Sequence, residues 1–440
     1  MSSALKNNAL KIVRRLRDHG FKAYFVGGAV RDMVMNIKPA DYDIATDASP
    51  EDITKLFRRV IPVGEKFGVS LVVLGGKSFE VSRFRLDGVY EDGRRPKSVE
   101  PADEKEDVNR RDFTINAMLL DPIGDRLFDY VGGQEDIARR LIRTVGDAAD
   151  RFAEDKLRLL RAVRFAVRFD FEIESETMSA IRRLADRVTD VSGERIGDEL
   201  AKMFSGPHPD RALTLLDETG LLDVVLPEVA AMKGVEQPSG FHPEGDVFEH
   251  TRKMLGLFGG GTVTLAFGLL LHDVGKPATF TETDRIRFHR HDEVGADIAE
   301  KILRRLRFRR DTVKRVRMLV RNHMRFIHVK DMKRATLKRF LAMDDFDELL
   351  ELFRLDCLAS HASLDLYDFV KGEKEHMEPV LPEPLITGKD LIEMGYEAGP
   401  MFKEMLDAAA DARLEGEIAT REAARDMVRR LFPLSRRQNR

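Results

Sequence analysis

A pair of adjacent glycines, Gly27 and Gly28, most constrains how the first part of this 440-residue chain can fold. They follow the β-rich run Tyr24-Phe25-Val26 and precede a helix start that contains Arg31. Glycine lets a backbone come close to a ligand, and the free amides at a helix N-terminus attract phosphate. Two glycines before a helix are, on their own, more often an ordinary turn. The pattern predicts a strand, a turn able to bind phosphate, and a helix from which Arg31 could add a bidentate phosphate contact.

Two aspartates, Asp41 and Asp43, follow this turn and are separated by one residue. In a strand, residues i and i+2 point to the same face. Like charges so close together are costly unless a cation neutralises them, and Mg²⁺ prefers one or two carboxylates together with substrate phosphates. An isolated pair would be read as a solvated loop, but after a phosphate-binding turn it predicts a metal site for in-line transfer. Glu80, in a predicted strand from 79 to 84, is either a third ligand or a surface glutamate.

These motifs resemble the head of the tRNA nucleotidyltransferase and bacterial poly(A) polymerase family, the class II branch of the polymerase-β-like superfamily. The resemblance is carried by Gly-Gly-Ala-Val-Arg-Asp at 27–32, by Asp-x-Asp at 41–43, and by Arg-Arg-Asp-Phe-Thr-Ile-Asn-Ala-Met at 110–118. It implies a catalytic Mg²⁺ on the two aspartates and nucleotide binding by the glycine turn and two arginines. The implied head residues are Asp41 and Asp43 for the metal, and Gly28, Arg31 and Arg111 for the nucleotide.

The segment from Tyr90 to Pro96, which contains Arg94 and Arg95, resembles the flexible loop between the head motifs of that family. In the family, this loop helps the switch to the final adenosine. Its presence therefore argues against an enzyme that adds only cytidines.

The segment from Glu154 to Phe165 is similar to the family's base-reading helix, in which an Asp and an Arg replace a nucleic-acid template. A carboxylate accepts from an exocyclic amine and a guanidinium donates to ring nitrogens and carbonyls, so Asp155 and Arg158 could match cytosine or adenine. On one continuous helix, these two residues would lie about 60° apart. The alternative is that Asp155 is only a helix N-terminal charge.

Two further arginines of this segment, Arg161 and Arg164, bind the nucleotide according to the same resemblance. The helical wheel places Arg164 in the apolar arc of Leu157 and Leu160, so a structural role competes there. The run from Gly193 to Leu200 resembles the motif that follows in the family, and it supports a junction between the head and the neck.

Histidines and aspartates in the later, helical part resemble an HD domain, in which a first His, a His-Asp pair and a distant Asp hold a metal. Imidazoles together with carboxylates suit Mn, Fe, Ni or Zn. A lone helical histidine is more often structural, and relatives use this domain either for phosphohydrolysis or as an RNA-binding scaffold. The predicted ligands are His250, His272, Asp273 and Asp356, and His291 and His323 could complete a two-metal site.

Composition agrees with an ordinary globular protein, with 43% hydrophobic and 34% charged residues. The net charge of −3 hides a strongly basic stretch between 300 and 340, which could neutralise RNA phosphates or could simply be a set of solvated helix faces. The single cysteine, Cys357, excludes an internal disulfide and fits a reducing cytoplasm. We find no export signal and no apolar run of the ~18 residues that a membrane span needs, so a cytoplasmic location without a membrane partner is expected.

The predicted architecture is α+β, with a polymerase-β-like nucleotidyltransferase head followed by an all-α neck, body and HD-type tail. The expected units are the head at 1–139, the neck and RNA-binding body at 140–230, an HD-type unit at 240–375, and a C-terminal tRNA-binding pair of helices at 380–440. The expected function is addition of the 3′-terminal CCA, or of its final A, to tRNA from CTP and ATP with Mg²⁺. The alternatives are an A-adding enzyme, a poly(A) polymerase and, from another class, an HD-domain phosphohydrolase. A non-catalytic RNA-binding module would not need Asp41 and Asp43.

Overall fold

The computed structural model describes residues 2–62, 68–88, 98–237, 245–282, 284–360, 363–376 and 382–434. The loop-like segment from Tyr90 to Pro96 lies outside these residues. The fold is α+β as predicted, with a sheet-containing head followed by a long helical part. Within the described residues, no helix combines the length and the apolar character needed to cross a membrane.

Among the described residues, nine strands and five α-helices belong to the head, with a short 3₁₀ segment (Thr114–Asn116). The strands are β1 (Ala23–Val26), β2 (Asp43–Thr46), β3 (Val60–Pro62), β4 (Val69–Leu74), β5 (Lys77–Arg83), β6 (Arg85–Asp87), β7 (Val99–Pro101), β8 (Leu119–Asp121) and β9 (Arg126–Phe128). The helices are α1 (Ser2–Asp18), α2 (Gly28–Val34), α3 (Pro50–Leu56), α4 (Glu104–Asn109) and α5 (Gly133–Arg139). The runs predicted as strands at 24–26 and 79–84 overlap β1 and β5.

Seven of these strands form one mixed sheet in the order β3-β4-β5-β2-β1-β8-β9, and β6 pairs with β7 separately. Strand β1 is buried along its whole length because both faces of the sheet are covered. On one face, Phe25 and Ile44 pack with the apolar side of α1, and on the other face, Tyr24 and Val26 pack with Val108. The antiparallel register sets Val26 opposite Asp43, so the glycine turn after β1 and the start of β2 lie at the same edge.

The neck consists of short helices around α7. Its elements are β10 (Leu141–Ile142), α6 (Ala148–Glu154), α7 (Leu157–Phe169), β11 (Glu172–Ile173), α8 (Ser175–Leu184), a 3₁₀ segment (Ala185–Asp190), α9 (Gly193–Phe204), α10 (Pro209–Glu218), α11 (Leu221–Val225) and α12 (Pro227–Ala230). Helices α7 and α9 pack together, and a buried ion pair between Arg164 and Glu199 joins them. The expectation of one continuous helix from Glu154 is wrong, because Asp155 has extended backbone angles (φ −136°, ψ 105°) between α6 and α7.

The HD-type unit continues directly from the neck. Its elements are α13 (Val247–Phe258), α14 (Val263–Leu271), α15 (Lys276–Thr279), β12 (Phe280–Glu282), β13 (Ile286–Phe288), α16 (His291–Arg305), α17 (Arg310–Asn322), a 3₁₀ segment (His323–Asp331), α18 (Arg334–Leu341), α19 (Phe346–Ala359) and α20 (Asp365–His376). One continuous apolar cluster runs through the neck and this unit, and the ring of Phe267 contacts Phe204 and Phe308 at centroid distances of 6.0 and 4.8 Å.

The described residues of the C-terminal part contain three helices, α21 (Gly388–Glu393), α22 (Met401–Glu415) and α23 (Arg421–Leu431), where the sequence predicted a pair. A capping box between Thr387 and Asp390 marks the start of α21. This unit has its own small apolar core. It contacts the HD-type unit through Lys338, whose Nζ donates to the Leu414 carbonyl at 2.9 Å.

Replacing Glu199 by Gln should lower the free energy of unfolding by about 3 kcal/mol, because it leaves the buried Arg164 guanidinium without a counter-charge. The matched control is Arg187→Gln, which removes the exposed pair between Arg187 and Asp190 and should cost less than about 1 kcal/mol. Urea unfolding of the three proteins measures both values. Equal stability of the two variants would mean that the buried pair does not hold α7 against α9.

Candidate active site and metal centre

The turn between β1 and α2 is formed by Gly27, whose φ of 66° lies in the left-handed region that favours glycine. A Cβ atom on Gly27 would lie 3.6 Å from Nη1 of Arg111 and 3.9 Å from Oδ2 of Asp43. The turn therefore brings the predicted phosphate-binding backbone, an arginine and a carboxylate to one place.

The side chain of Arg31, on α2, is buried and held by neighbouring groups. It donates from Nη2 and Nε to Oδ1 of Asp32, at 2.6 and 2.9 Å, and from Nη1 to Oδ1 of Asn116 at 2.7 Å. Its guanidinium also lies 4.5 Å from the ring centroid of Phe169 on α7. Arg31 thus lines the site from a fixed position. Its contact with Phe169 connects the head to the neck, a role that adds to the phosphate contact predicted from the sequence.

Asp43 lies beside this turn with two further carboxylates near it. It is the first residue of β2, Asp41 precedes the strand, and the parallel pairing of Ile44 with Val81 sets Glu80 beside Asp43. Burial and the charges of Glu80 and Asp41 together raise the pKa of Asp43 to about 7, although the charge of Arg111 lowers it. Such mutual repulsion fits a group of ligands that a bound cation would neutralise.

Arg111 is oriented by Asp107, a buried residue of α4. Oδ2 of Asp107 accepts from Arg111 Nη2 at 2.9 Å, and Oδ1 accepts from Arg110 Nη2 at 2.6 Å. Burial alone would raise the pKa of Asp107, but the two guanidinium groups lower it. Asp107 is therefore an ionised anchor for the two arginines, and no sequence motif distinguishes it from a surface aspartate.

Asp155 lies at the junction of α6 and α7, and both oxygens of its side chain are engaged. Oδ1 accepts from the backbone N–H of Leu157 at 3.0 Å, and Oδ2 accepts from Nη2 of Arg195 at 2.9 Å. The contact with Leu157 is at the first residue of α7, which agrees with the helix-start role considered from the sequence. The same side chain also lines the cavity described below.

Arg158 and Arg161 project from α7 and are each matched by a carboxylate. Arg158 donates to Oε2 of Glu154 at 2.5 Å and to two backbone carbonyls. Arg161 donates from Nη2 and Nε to Oδ2 of Asp112, at 2.5 and 3.0 Å. Burial would raise the pKa of Asp112, but the Arg161 guanidinium lowers it to about 2. Arg164 has the structural role that its apolar arc suggested, in the buried pair with Glu199, yet it too reaches the cavity.

One cavity of about 560 Å³ between head and neck collects every residue predicted for nucleotide transfer. Asp112 and Arg195 also line it, and sequence reasoning did not assign them roles although both stand in motifs that it had noted. The predicted residues that line it are Gly28, Arg31, Asp41, Asp43, Arg111, Asp155, Arg158, Arg161 and Arg164.

A second cluster, in the HD-type unit, joins two groups of ligand-bearing side chains. His250, His272 and Asp273 form one group and Asp273, His291 and His323 form the other, with ligand atoms within 4.8 Å of one another in each. Asp273 belongs to both groups: its Oδ2 lies 3.1 Å from His272 Nε2, and its Oδ1 lies 3.4 Å from His291 Nε2. Among the described side chains, this cluster alone offers imidazoles and a shared carboxylate for metal binding.

The tautomers of three of these histidines follow from their hydrogen bonds. Nδ1 of His272, His291 and His323 lies 2.8, 3.0 and 2.6 Å from a backbone carbonyl oxygen three residues earlier in the chain. A carbonyl can only accept, so each Nδ1 carries the proton and each Nε2 presents a lone pair to the centre. Burial, together with the charges of His291 and His272, lowers the pKa of His323 to about 4, which keeps that ring neutral for metal binding.

Asp356, on α19, contacts one member of the first group: its Oδ1 lies 3.1 Å from Nε2 of His250. The cluster opens into a cavity of about 840 Å³. Lys276 lines that cavity, and its Nζ lies 2.6 Å from Oδ2 of Asp273 and donates to Gln237 at 2.5 Å. The arrangement therefore sets a cationic side chain and an apolar wall next to a potential metal centre. The apolar lining residues include Ile286, Phe288, Ile327, Phe353 and Leu366.

Known families match the chain in the same order as these units. The poly A polymerase head domain matches residues 23–143, the probable RNA and SrmB-binding site of polymerase A matches residues 170–233, and the HD domain matches residues 247–359. The fold and the two sites thus define a nucleotidyltransferase head joined to an HD-type metal-binding unit.

Individual relatives agree with this class. The A-adding tRNA nucleotidyltransferase of Deinococcus radiodurans is 34% identical over 436 residues, which cover 93% of this chain and 95% of that protein. The CCA-adding enzyme of Geobacillus stearothermophilus is 48% identical over 223 residues, 50% of this chain, and the match spans only 55% of that enzyme's length. The crystal structure of the Bacillus stearothermophilus CCA-adding enzyme in complex with CTP is 29% identical, with a TM-score of 0.73 and 97% of each chain covered. The chain belongs to the tRNA nucleotidyltransferase and poly(A) polymerase family.

Mg²⁺ binding to the head should weaken about tenfold between pH 8 and pH 6, because Asp43, with a pKa of about 7, must release a proton to become a ligand. The direction of the pH dependence follows from the raised pKa of Asp43, because this ligand is ionised above pH 7 and protonated below it. Calorimetric titration with Mg²⁺ in buffers of different ionisation enthalpy measures the affinity and the protons released.

Two variants identify the source of this pH dependence. Asp43→Asn should abolish the calorimetric signal of Mg²⁺ binding to the head. Glu80→Gln should move the pH dependence of that binding to lower pH, because one repelling charge is gone. An affinity that stays constant from pH 6 to pH 8 in the unmodified protein would contradict the assignment of Asp43 as a ligand.

Proposed function

We propose that this chain adds nucleotides from CTP and ATP to the 3′ end of tRNA, completing CCA without a nucleic-acid template. One observation carries the proposal: the carboxylates Asp41 and Asp43, the glycine turn, and the pair Asp155 and Arg158 all line a single cavity. Metal ligands, a phosphate-binding turn and groups able to read a base are the three parts that such a transfer needs in one place.

Asp41 and Asp43 are the proposed ligands of Mg²⁺, with Glu80 as a third. The residues fit a hard divalent cation, because they offer only oxygen donors and because no lysine or arginine in the described parts of the chain forms an ion pair with any of the three. A cation bound there supplies the charge neutralisation that in-line nucleotidyl transfer requires. Arg111, held by Asp107 beside the glycine turn, is the proposed contact to the triphosphate.

Base selection is proposed for Asp155 and Arg158. The Asp155 carboxylate can accept from the amino group of cytosine or adenine, and Arg158 can donate to the acceptors beside it. Arg161 and Arg164 are proposed to hold positive charge beside the triphosphate, each from a position fixed by a buried carboxylate. Gly28 and Arg31 complete the proposed nucleotide site from the head.

tRNA is proposed to bind along the helical part of the molecule. Arg309, Arg310 and Lys314, at the start of α17, are exposed and can contact phosphates. We propose the corresponding division of the chain into a head (1–139), a neck and RNA-binding body (140–230), an HD-type unit (240–375) and a tRNA-holding tail (380–440).

Addition of the final adenosine alone is the second candidate, and one observation favours it. The relative that matches almost the whole chain, from Deinococcus radiodurans, is an A-adding tRNA nucleotidyltransferase, whereas the match to the Geobacillus CCA-adding enzyme spans half of the chain. Poly(A) addition ranks behind both because neither of these relatives is a poly(A) polymerase.

Phosphohydrolysis by the HD-type unit is a candidate function from another class. It is favoured by the carboxylate of Asp273, which faces both groups of histidines, and by Lys276 beside it. His250, His272, Asp273 and Asp356 would hold a transition metal such as Mn, Fe, Ni or Zn. His291 and His323 would hold a second ion.

Three acceptors separate the nucleotide-adding candidates: tRNA lacking CCA, tRNA ending in CC, and an unrelated RNA, each offered every nucleotide separately. We expect C addition to the first acceptor, A addition to the second and no addition to the third. Growth of the CC-ending tRNA alone would establish the A-adding alternative, and long A tails on the unrelated RNA would establish poly(A) addition.

Asp43→Ala serves as the active-site control for these reactions and should reduce addition by a factor of at least about 10³, because it removes a proposed metal ligand. Its melting temperature should stay near that of the unmodified protein, since the substitution relieves repulsion between carboxylates. Near-normal addition by Asp43→Ala would overturn the proposed site.

The double variant His272→Ala, Asp273→Ala should lose bound transition metal and any phosphatase or cyclic-phosphodiesterase activity, while nucleotide addition persists. Elemental analysis and both assays measure this, with the exposed His376→Ala as the matched control in the same unit. Absence of a transition metal from the unmodified protein would remove the basis of the hydrolase candidate. Loss of addition in a folded double variant would instead indicate coupling between the two units.

A further inference from the structure

We infer that Arg195 is a positioning residue for base selection, which acts by holding the carboxylate of Asp155 in its reading orientation. The inference rests on the proposed function, because it concerns how that site distinguishes bases. Nη2 of Arg195 lies 2.9 Å from Oδ2 of Asp155, and both side chains are largely buried, with 21% and 16% of their surfaces exposed. Both residues line the cavity between head and neck.

Asp155 needs a partner of this kind because it does not belong to a helix. Its backbone is extended between α6 and α7, so no helical neighbours fix its side chain. The bond from the Leu157 N–H to Oδ1 holds one oxygen, and the bond from Arg195 holds the other. With one of these bonds removed, the carboxylate could turn about its terminal torsion, which is soft.

Arg195 itself is held on two sides. One turn further along α9, Glu199 forms the buried ion pair with Arg164 on α7. On the opposite side, Gly193 and Gly197 lie against the backbone of Arg305 and Leu306, so closely that a Cβ atom on either glycine would overlap a carbonyl oxygen. The first turn of α9 is thus packed between the neck and the HD-type unit, and the guanidinium of Arg195 reaches the junction of α6 and α7 from a fixed base.

A carboxylate held in one orientation can discriminate between bases by the group that each base presents to it. A carboxylate accepts hydrogen bonds and cannot donate them. Cytosine and adenine present an amino group to it, whereas uracil and guanine present a carbonyl oxygen at the corresponding position, which would repel it. This discrimination depends on the carboxylate staying in place, so Arg195 contributes to base choice without contacting the base.

A direct role of Arg195 in binding triphosphate is the competing explanation, since the residue also lines the cavity. The two explanations predict different kinetics. Loss of a phosphate contact would raise KM for all four nucleotides alike. Loss of positioning would raise kcat/KM for UTP and GTP relative to CTP and ATP, with little change in KM for the correct nucleotides.

The test compares the unmodified protein with Arg195→Gln, Arg195→Lys and Arg187→Gln, using all four nucleotides and tRNA acceptors lacking CCA or ending in CC. Arg195→Gln should raise the relative use of UTP and GTP about tenfold, the loss expected for one charged hydrogen bond. Arg195→Lys should restore part of the selectivity because it returns a cationic donor. Arg187→Gln removes an exposed arginine–carboxylate pair of the neck and should leave the ratios unchanged.

A double-mutant cycle separates positioning from a general structural effect. If Arg195 acts through Asp155, Arg195→Gln added to Asp155→Asn should change the base ratios no further. Unchanged ratios in Arg195→Gln, or effects of the two substitutions that simply add, would overturn the inference, whatever the melting temperatures. If the unmodified protein adds no nucleotide to any acceptor, the proposed function has failed, which is a different result from an active protein whose selectivity ignores Arg195.

Discussion

The partly buried ion pair between Asp112 and Arg161 joins the head to the neck, and the geometry of the cavity depends on it. Asp112 follows Arg111 in the head, and Arg161 projects from α7, so the bond spans the boundary between a sheet-containing unit and a helical one. Oδ1 of Asp112 also accepts from Asn116 at 3.2 Å, and Asn116 in turn accepts from Arg31 at 2.7 Å. A single polar chain therefore runs from the glycine turn to the neck helix, and it fixes the distance between the proposed metal ligands and the proposed base-reading residues.

Charges on the two sides of the cavity are arranged in opposite ways. On the neck side, Arg158, Arg161 and Arg164 each have a carboxylate partner, which fixes their positions before any ligand arrives. On the head side, burial raises the pKa of Asp43, and the charges of Glu80 and Asp41 raise it as well. The arginines of the neck are thus held in place by ion pairs within the protein. These three carboxylates of the head form no ion pair in the described residues, which favours cation binding. Both arrangements lower the reorganisation required when a charged nucleotide and its metal enter.

The sequence allowed the α+β fold, the family and the residues around both sites to be predicted, because each depends on short motifs whose spacing survives folding. Asp41 and Asp43 could be paired from their spacing together with the glycine turn that precedes them. The break at Asp155 could not be predicted, since residues 154–165 have continuous helical periodicity and the extended residue is held by a tertiary bond from Arg195 and a local bond from the Leu157 N–H. Asp107 and Glu199 were likewise unassigned, because a carboxylate becomes an anchor only when folding buries it beside an arginine.

The two potential metal sites offer different types of ligand, as two different chemistries within one chain would require. The head offers carboxylate oxygens only, which suit a hard ion that retains water and binds phosphates. In the HD-type unit, hydrogen bonds to backbone carbonyls fix three imidazoles with Nε2 facing Asp273, which suits a borderline transition metal. The type of ligand atom at each site, rather than binding affinity alone, would then determine which ion binds there. A continuous apolar core links the neck to the HD-type unit, and the C-terminal end of α16 packs against α9, the helix that carries Arg195. A change in the HD-type unit that displaced Arg305 or Leu306 would therefore reach the carboxylate of Asp155, the proposed base reader, through two contacts, the packing of Gly193 and the bond from Arg195 to Asp155.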